Sequence, residues 1–165
     1  MILVGIGSNL AAPGFGSPQD TAEAALAQLP TIGVAVVRCS RWYLSEPVPP
    51  SNQPWYVNAV AVVETRLAPV ALLAALIALE ARFGRRRSVP NAARTLDLDL
   101  LDYDDRQTQT QRLALPHPRL HERRFVLAPL AEVAPHWRHP RLAMTASELL
   151  LRLPPGQPTS AIGDR

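Results

Sequence analysis

Residues 94–100 read RTLDLDL, and the strict alternation of Leu with Asp leaves the backbone little choice. In an extended strand Leu96, Leu98 and Leu100 share one face while Asp97 and Asp99 share the other; a helix would scatter both sets. The segment therefore predicts a strand with one face on an apolar core and two carboxylates side by side on the opposite face. Like charges so placed repel, and Thr, Ser or mixed charges would serve a merely wet face without that cost. Two readings account for the pair: an exposed strand face, or ligands for a hard divalent cation whose charge relieves the repulsion.

Other elements follow from punctuation. Ile2 to Ile6 predicts a short strand running into Gly7, Ser8 and Asn9, and the Gly/Pro-rich loop AAPGFGSP then leads to a helix from about Gln19 to Leu29. Gly33 to Tyr43 predicts a second strand, closed by SEPVPPSNQP, whose prolines cannot continue it. Tyr56 to Thr65 predicts a third, with Tyr56, Asn58, Val60 and Val62 on one face and Val57, Ala59, Ala61 and Val63 on the other. Pro69 suits the first turn of a helix that stops at Gly84. Glu80 lies in register with Leu73, Leu76 and Ile77 on the apolar face of that helix. It is also near the C-terminal end, where a negative charge is disfavoured. Two placements stay open for it, the solvent edge of the face or a site. After the Asp97 strand, Arg112 to Leu115 predicts a further short strand, Pro118 to Arg124 a turn into a helix, and Thr145 with Glu148 a capping box opening a last short helix.

The order β-α-β-β-α-β with C-terminal additions predicts an α+β sandwich of ferredoxin-like type. One domain over residues 1–153 is expected, with a disordered tail over 154–165. The loops at 10–18 and 84–93 are expected to be mobile lids that order on ligand binding.

Composition excludes more than it selects. The 165 residues carry 17 basic side chains, all arginine, and a net charge of +3. Arginine suits bidentate phosphate contacts. Three each of Phe, Tyr and Trp are thin for a base-stacking platform. The single Cys39 cannot form an internal disulfide and reads as a buried structural thiol. MILVGIGSNL has no basic leader and too short an apolar stretch for a membrane span, so a cytoplasmic location without a membrane partner is expected. No G-x-x-x-x-G-K-[ST] and no G-x-G-x-x-G occurs, which removes Walker and kinase-type phosphate loops. Phosphates must then be met by side chains and metal. Arg85, Arg86, Arg87 and Arg94 lie upstream of the aspartates and Arg119, Arg123 and Arg124 follow, a convergence that suits a polyphosphate needing Mg²⁺ and guanidiniums together.

Five segments in order, GIGSNL (5–10), QPWYVNAV (53–60), ARFGRRR (81–87), RTLDLDLLDYDD (94–105) and LALPHPRLHERRFVLAPLAEVAP (113–135), closely resemble the 6-hydroxymethyl-7,8-dihydropterin pyrophosphokinase family of folate biosynthesis. The resemblance implies a ferredoxin-like fold and transfer of the intact β,γ-diphosphate of ATP to the pterin hydroxymethyl group, leaving AMP. It implies Asp97 and Asp99 as Mg²⁺ ligands and, with Arg85 and Arg94, as the catalytic set. On the nucleotide side it implies Glu80, Arg87, Arg94, Leu100, His117 and Arg123. On the pterin side it implies Ser45, Glu46, Val48, Asp97, the ring-stacking pair Tyr56 and Phe125, and Asn58 on the polar edge. ATP and the pterin are the expected partners, with no nucleic acid and no obligate protein partner.

The chain departs from many members in having Asn91-Ala92-Ala93 where they have Trp-Gly-Pro, with a third loop about one residue shorter. Ile77 replaces a Gln found in some members, and Trp55 a frequent Asp. Outside the family, the same fold could serve a non-catalytic RNA-binding or ligand-sensing module. The first would want exposed aromatics on its central strands, and the second would need no D-x-D pair.

Overall fold

The computed structural model describes residues 1–86 and 92–163. The chain runs β1 (Ile2–Ser8), α1 (Pro18–Gln28), β2 (Val34–Cys39), β3 (Tyr43–Ser45), β4 (Tyr56–Thr65), α2 (Pro69–Arg82) and β5 (Asp97–Tyr103). There follow the small hairpin β6 (Thr108–Gln109) and β7 (Ala114–Leu115), then α3 (Arg124–Val133), α4 (Ala146–Arg152) and β8 (Thr159–Ala161). The main sheet is ordered β5-β1-β4-β3-β8, with β2 also on β4, and every pairing is antiparallel. Taking β2 and β3 together as one strand, this is the ferredoxin-like order expected from the sequence.

The strand expected over Gly33–Tyr43 is split. Ser40 N–H donates to the Val60 carbonyl at 3.0 Å while Ser40 Oγ accepts from Val60 N–H at 3.1 Å. A hydroxyl thus takes the place of a ladder carbonyl, and the strand resumes at Tyr43 after a bend. Helix starts agree with local chemistry: Ser17 Oγ caps α1 by accepting from Asp20 N–H at 3.0 Å, and the capping box of Thr145 and Glu148 is formed at α4. Helix α2 ends at Phe83, where Gly84 takes φ +75°, a conformation costly for residues with a Cβ.

The sheet buries both faces. Helices α1 and α2 cover one, packing Leu72, Leu76 and Leu79 against Ile2, Val4, Ile6, Leu98 and Leu100. The C-terminal additions cover part of the other, where Val126, Leu127 and Leu130 of α3 meet Leu3, Val60, Val62 and Leu101. This explains why β4 is buried along seven of its ten residues yet shows two alternating sets of side chains.

One local expectation is corrected and two gain detail. The tail after Leu153 is not structureless: Thr159–Ala161 forms β8, paired residue by residue with Tyr43–Ser45. The first loop makes contacts with the body of the fold, with Ala12 N–H on Thr21 Oγ1 at 2.9 Å and the Phe15 ring 5.7 Å from that of Phe83. Both are tied by contacts distant in sequence, which local composition does not report. Leu100 has its side chain in the core beneath α1 and α2, on the face away from Asp97 and Asp99. A nucleotide could meet only its main chain. Residue 87 and the rest of the third loop to 91 lie outside the described residues, and with them the nucleotide role expected for Arg87.

Candidate active site

The site lies on the face of the sheet where two glycines interrupt the core. In the ladder, Gly7 sits between Asn58 of β4 and Asp97 of β5, and Gly5 between Val60 and Asp99. Any side chain on Gly7 would meet Asn58 Oδ1 at 3.3 Å and Asp97 Cβ at 3.7 Å. The two glycines therefore make a floor, with the pterin-side candidates on β4 to one side and the aspartates on β5 to the other. Alternation along β1 brings Gly5 and Gly7 to the same face, a signal present in GIGSNL but not used in the sequence reading. Asn9 was missed as well. It is buried at the end of β1, where its Oδ1 accepts from Arg94 N–H at 2.8 Å and its amide donates to the Pro54 carbonyl at 3.1 Å. One side chain thus pins the Arg94 segment to the loop before Tyr56.

The cleft above this floor is lined by Ser45, Glu46, Val48, Tyr56, Asn58, Arg94, Asp97, Arg123 and Phe125. Nine expected residues therefore share one cavity. Counting its open mouth, the space above the floor is about 550 Å³. Asn58 is buried, and its amide nitrogen donates to Ser45 Oγ at 2.8 Å.

The carboxylates stand among guanidiniums. Arg85 is 12% exposed and lies between Glu80 and Asp97, at 2.8 Å from Glu80 Oε1 and in a short contact with Asp97 Oδ1, with a further bond to the Leu96 carbonyl at 3.0 Å. Burial disfavours its charge, but Asp97 and Glu80 outweigh that and raise its pKa. Arg94 reaches the other oxygen of Asp97 at 3.0 Å. Arg123 lies 3.5 Å from Asp99 Oδ2 and 5.6 Å from the centroid of the Phe125 ring, within cation–π range. His117 Nε2 is 4.0 Å from the same Asp99 oxygen. Its Nδ1 accepts from Arg119 N–H at 3.2 Å, so in the neutral ring the proton is assigned to Nε2, facing the site. Burial and Arg123 push the His117 pKa down to about 4, which keeps it neutral at physiological pH. Burial and the Asp97 carboxylate push Asp99 up to about 6.

Glu80 is one of the few buried charged groups, and it is on the apolar face of α2 for a reason the helix alone does not supply. Its Oε1 accepts from both Arg85 and the backbone N–H of Leu98, the latter at 2.8 Å. The carboxylate joins α2 to the open edge of β5 and orients Arg85. It works beneath the site rather than lining the cleft.

The residues suit a magnesium ion that is shared with a substrate. Among the described residues no cluster of three His, Cys, Asp or Glu could hold a cation alone. Two carboxylates on neighbouring positions of one strand face, one with its pKa raised by burial and by the other, are oxygen donors of the kind Mg²⁺ takes, in a set that would need water and phosphate to complete it.

The family model for 7,8-dihydro-6-hydroxymethylpterin-pyrophosphokinase matches residues 3–135. The chain belongs to that family. It is 43% identical over 149 residues to the 2-amino-4-hydroxy-6-hydroxymethyldihydropteridine pyrophosphokinase of Synechocystis, covering 90% of this chain and 73% of that one. It is 42% identical over 142 residues to the Pseudomonas aeruginosa protein of the same name, covering 84% and 83%. The fold matches Plasmodium falciparum HPPK-DHPS with a TM-score of 0.71 at 12% identity, over 91% of this chain and 43% of that one. Membership in the pyrophosphokinase family removes the non-catalytic RNA-binding and ligand-sensing readings. Among the described residues no helix is long and apolar enough to cross a membrane.

Proposed function

We propose that the cleft transfers the β,γ-diphosphate of ATP to the 6-hydroxymethyl group of 6-hydroxymethyl-7,8-dihydropterin, with Asp97 and Asp99 binding Mg²⁺ between the two substrates. One observation carries this reading. Asp97 and Asp99, bordered by Arg85, Arg94 and Arg123, share a glycine floor with Asn58, and Tyr56 and Phe125 line the same cleft. Phosphate chemistry and a heterocycle site meet within one trough. Mg²⁺ bound there supplies charge neutralisation on the phosphates and lowers the cost of deprotonating the hydroxyl.

The chain's own residues do the rest by position and charge. In the reaction the hydroxymethyl oxygen bonds to the β-phosphorus and its proton passes to solvent, the bond from the β-phosphorus to the α,β-bridging oxygen breaks, and AMP leaves with that oxygen. Arg94 and Arg123, each 17–20% exposed at the rim of the carboxylates, turn from Asp97 and Asp99 to the phosphate oxygens. Arg85, with Glu80 as its second partner, keeps Asp97 oriented or joins them. His117, as a neutral ring, donates a hydrogen bond from Nε2–H to a phosphate oxygen. Tyr56 and Phe125 supply faces for the flat pterin, and Asn58 and Ser45 meet its polar edge. Glu46 and Val48 form the side wall, and Leu100 offers main-chain groups alone. The cytoplasmic location expected from the sequence is part of this proposal.

A product assay tests this. Purified protein with ATP, Mg²⁺ and 6-hydroxymethyl-7,8-dihydropterin is expected to form AMP, and only when the pterin is present. ADP instead of AMP, or AMP without pterin, overturns the proposal.

A further inference from the structure

The tail beyond Leu153 lies outside the segment that the family model matches, yet it touches both walls of the cleft. One wall is the end of β3 with the loop to Pro49; the other is the turn at Arg123–Phe125 that opens α3. Three successive tail residues join them. Gln157 Oε1 accepts from Arg124 N–H at 2.8 Å and its amide donates to the Glu122 carbonyl at 2.9 Å. The Pro158 carbonyl accepts from Glu46 N–H at 3.2 Å. Thr159 then pairs with Ser45 at the start of the β3–β8 ladder.

The bond to Arg124 answers a specific need. Arg123, the N-cap of α3, makes no side-chain capping bond, so the first-turn N–H groups lack the usual local acceptor. Gln157 supplies one from more than thirty residues away. Because Arg123 and Phe125 flank Arg124 directly, the bond fixes the helix start that aims both toward the cleft. On the other side, β8 holds the Ser45–Glu46 backbone, and Ile162 N–H closes the ladder on the Trp42 carbonyl at 2.8 Å.

We infer that residues 157–161 form a strap that sets the width of the pterin cleft, with Gln157 as the positioning residue for Phe125 and Arg123. The inference rests on the reading of this cleft as the pterin site. Gln157 touches no substrate and acts only through the two backbones it joins.

Gln157→Ala is the variant to make, compared with Gln157→Glu, which keeps an acceptor for Arg124 N–H. Loss of one capping bond of about 1 kcal/mol corresponds to roughly a fivefold effect. KM for the pterin should rise about that much in Gln157→Ala, with kcat and the KM for ATP within about twofold of wild type; Gln157→Glu restores the acceptor for Arg124 N–H but sets an oxygen against the Glu122 carbonyl, so it should recover only part of the loss. Deuterium uptake in the ligand-free protein should rise at both 44–49 and 122–127. An unchanged pterin KM in an active Gln157→Ala enzyme overturns the strap, as does a lower Tm with less active protein and no change in pterin KM. Should wild type make no AMP, the pterin reading falls on its own, and deuterium uptake still decides the strap: unchanged uptake at either wall overturns it.

Discussion

Strand β5 carries three aspartates whose fates differ. Asp97 and Asp99 stand at one end on the open cleft; Asp102, near the other end, is fully buried. The register shift opposite Leu3 and Val4 turns Leu101 and Asp102 toward the same α3 side of the sheet. There Asp102 accepts from Trp137 Nε1 at 2.7 Å and from Tyr103 N–H at 2.7 Å. Burial pushes its pKa up, and those two bonds pull against that shift. Asp102 is thus satisfied by groups of the fold itself. Among the described residues, Asp97 and Asp99 meet guanidiniums and a neutral imidazole, and of these Arg94, Arg123 and His117 can turn to another partner. The same residue type is structural where fixed donors meet it and functional where its partners are exchangeable.

Substitution at the cleft end gives the largest expected effect. Asp97→Asn or Asp99→Asn should each reduce turnover by roughly a thousandfold or more in steady-state AMP formation, with circular dichroism unchanged. Near wild-type turnover in both would erase the distinction between the two ends of the strand.

Asp102→Ala should do the reverse. It strands the Trp137 N–H in a buried site and should cost about 2–3 kcal/mol in urea unfolding, while the folded fraction keeps its kcat and KM values. A loss of kcat without a loss of stability would place Asp102 with the catalytic pair.

Gly7→Ala probes the floor between the two sides. Its Cβ would crowd Asn58 Oδ1, and the pterin KM should rise about tenfold, with a smaller change in the KM for ATP.

The smallest effect concerns pH. The native pKa of Asp99, about 6, is above that of an unfolded aspartate, about 4. The native state therefore binds the extra proton between these values, and ligand-free stability should fall as pH rises through that window. Asp99→Asn should remove this slope and raise stability at pH 7 by about 1 kcal/mol, allowing for solvent at a partly exposed carboxylate. Mg²⁺ affinity of the wild type should weaken as pH falls below 6, measured by titration calorimetry with an ATP analogue.

The sequence made the β5 and β4 faces readable because each is long enough for a two-residue period to repeat, and both were observed as expected. The aspartates, Asn58, Tyr56 and Phe125 were legible through the family resemblance, and the structure brings them to one face or cleft. What stayed hidden depends on partners distant in the chain. Thr159–Ser160–Ala161 has no apolar alternation, and only the open edge of β3 makes it a strand. Ser40 breaks a strand because its hydroxyl finds Val60, which no local pattern announces. Glu80 looked misplaced until Arg85 and the Leu98 N–H supplied its partners. Leu100 was assigned by likeness to the nucleotide side, whereas the pleat sends its side chain the other way.

The β8 strand also bears on how the molecule behaves among copies of itself. Without it, β3 would present a row of unpaired amide and carbonyl groups on the edge away from β4, the kind of edge that templates intermolecular pairing. Polar Thr159 and Ser160, backed by Gly156 and Gly163, seal that edge with little to offer a further strand. A chain shortened before residue 157 would expose a sticky margin, and its solubility at high concentration would suffer before its fold did.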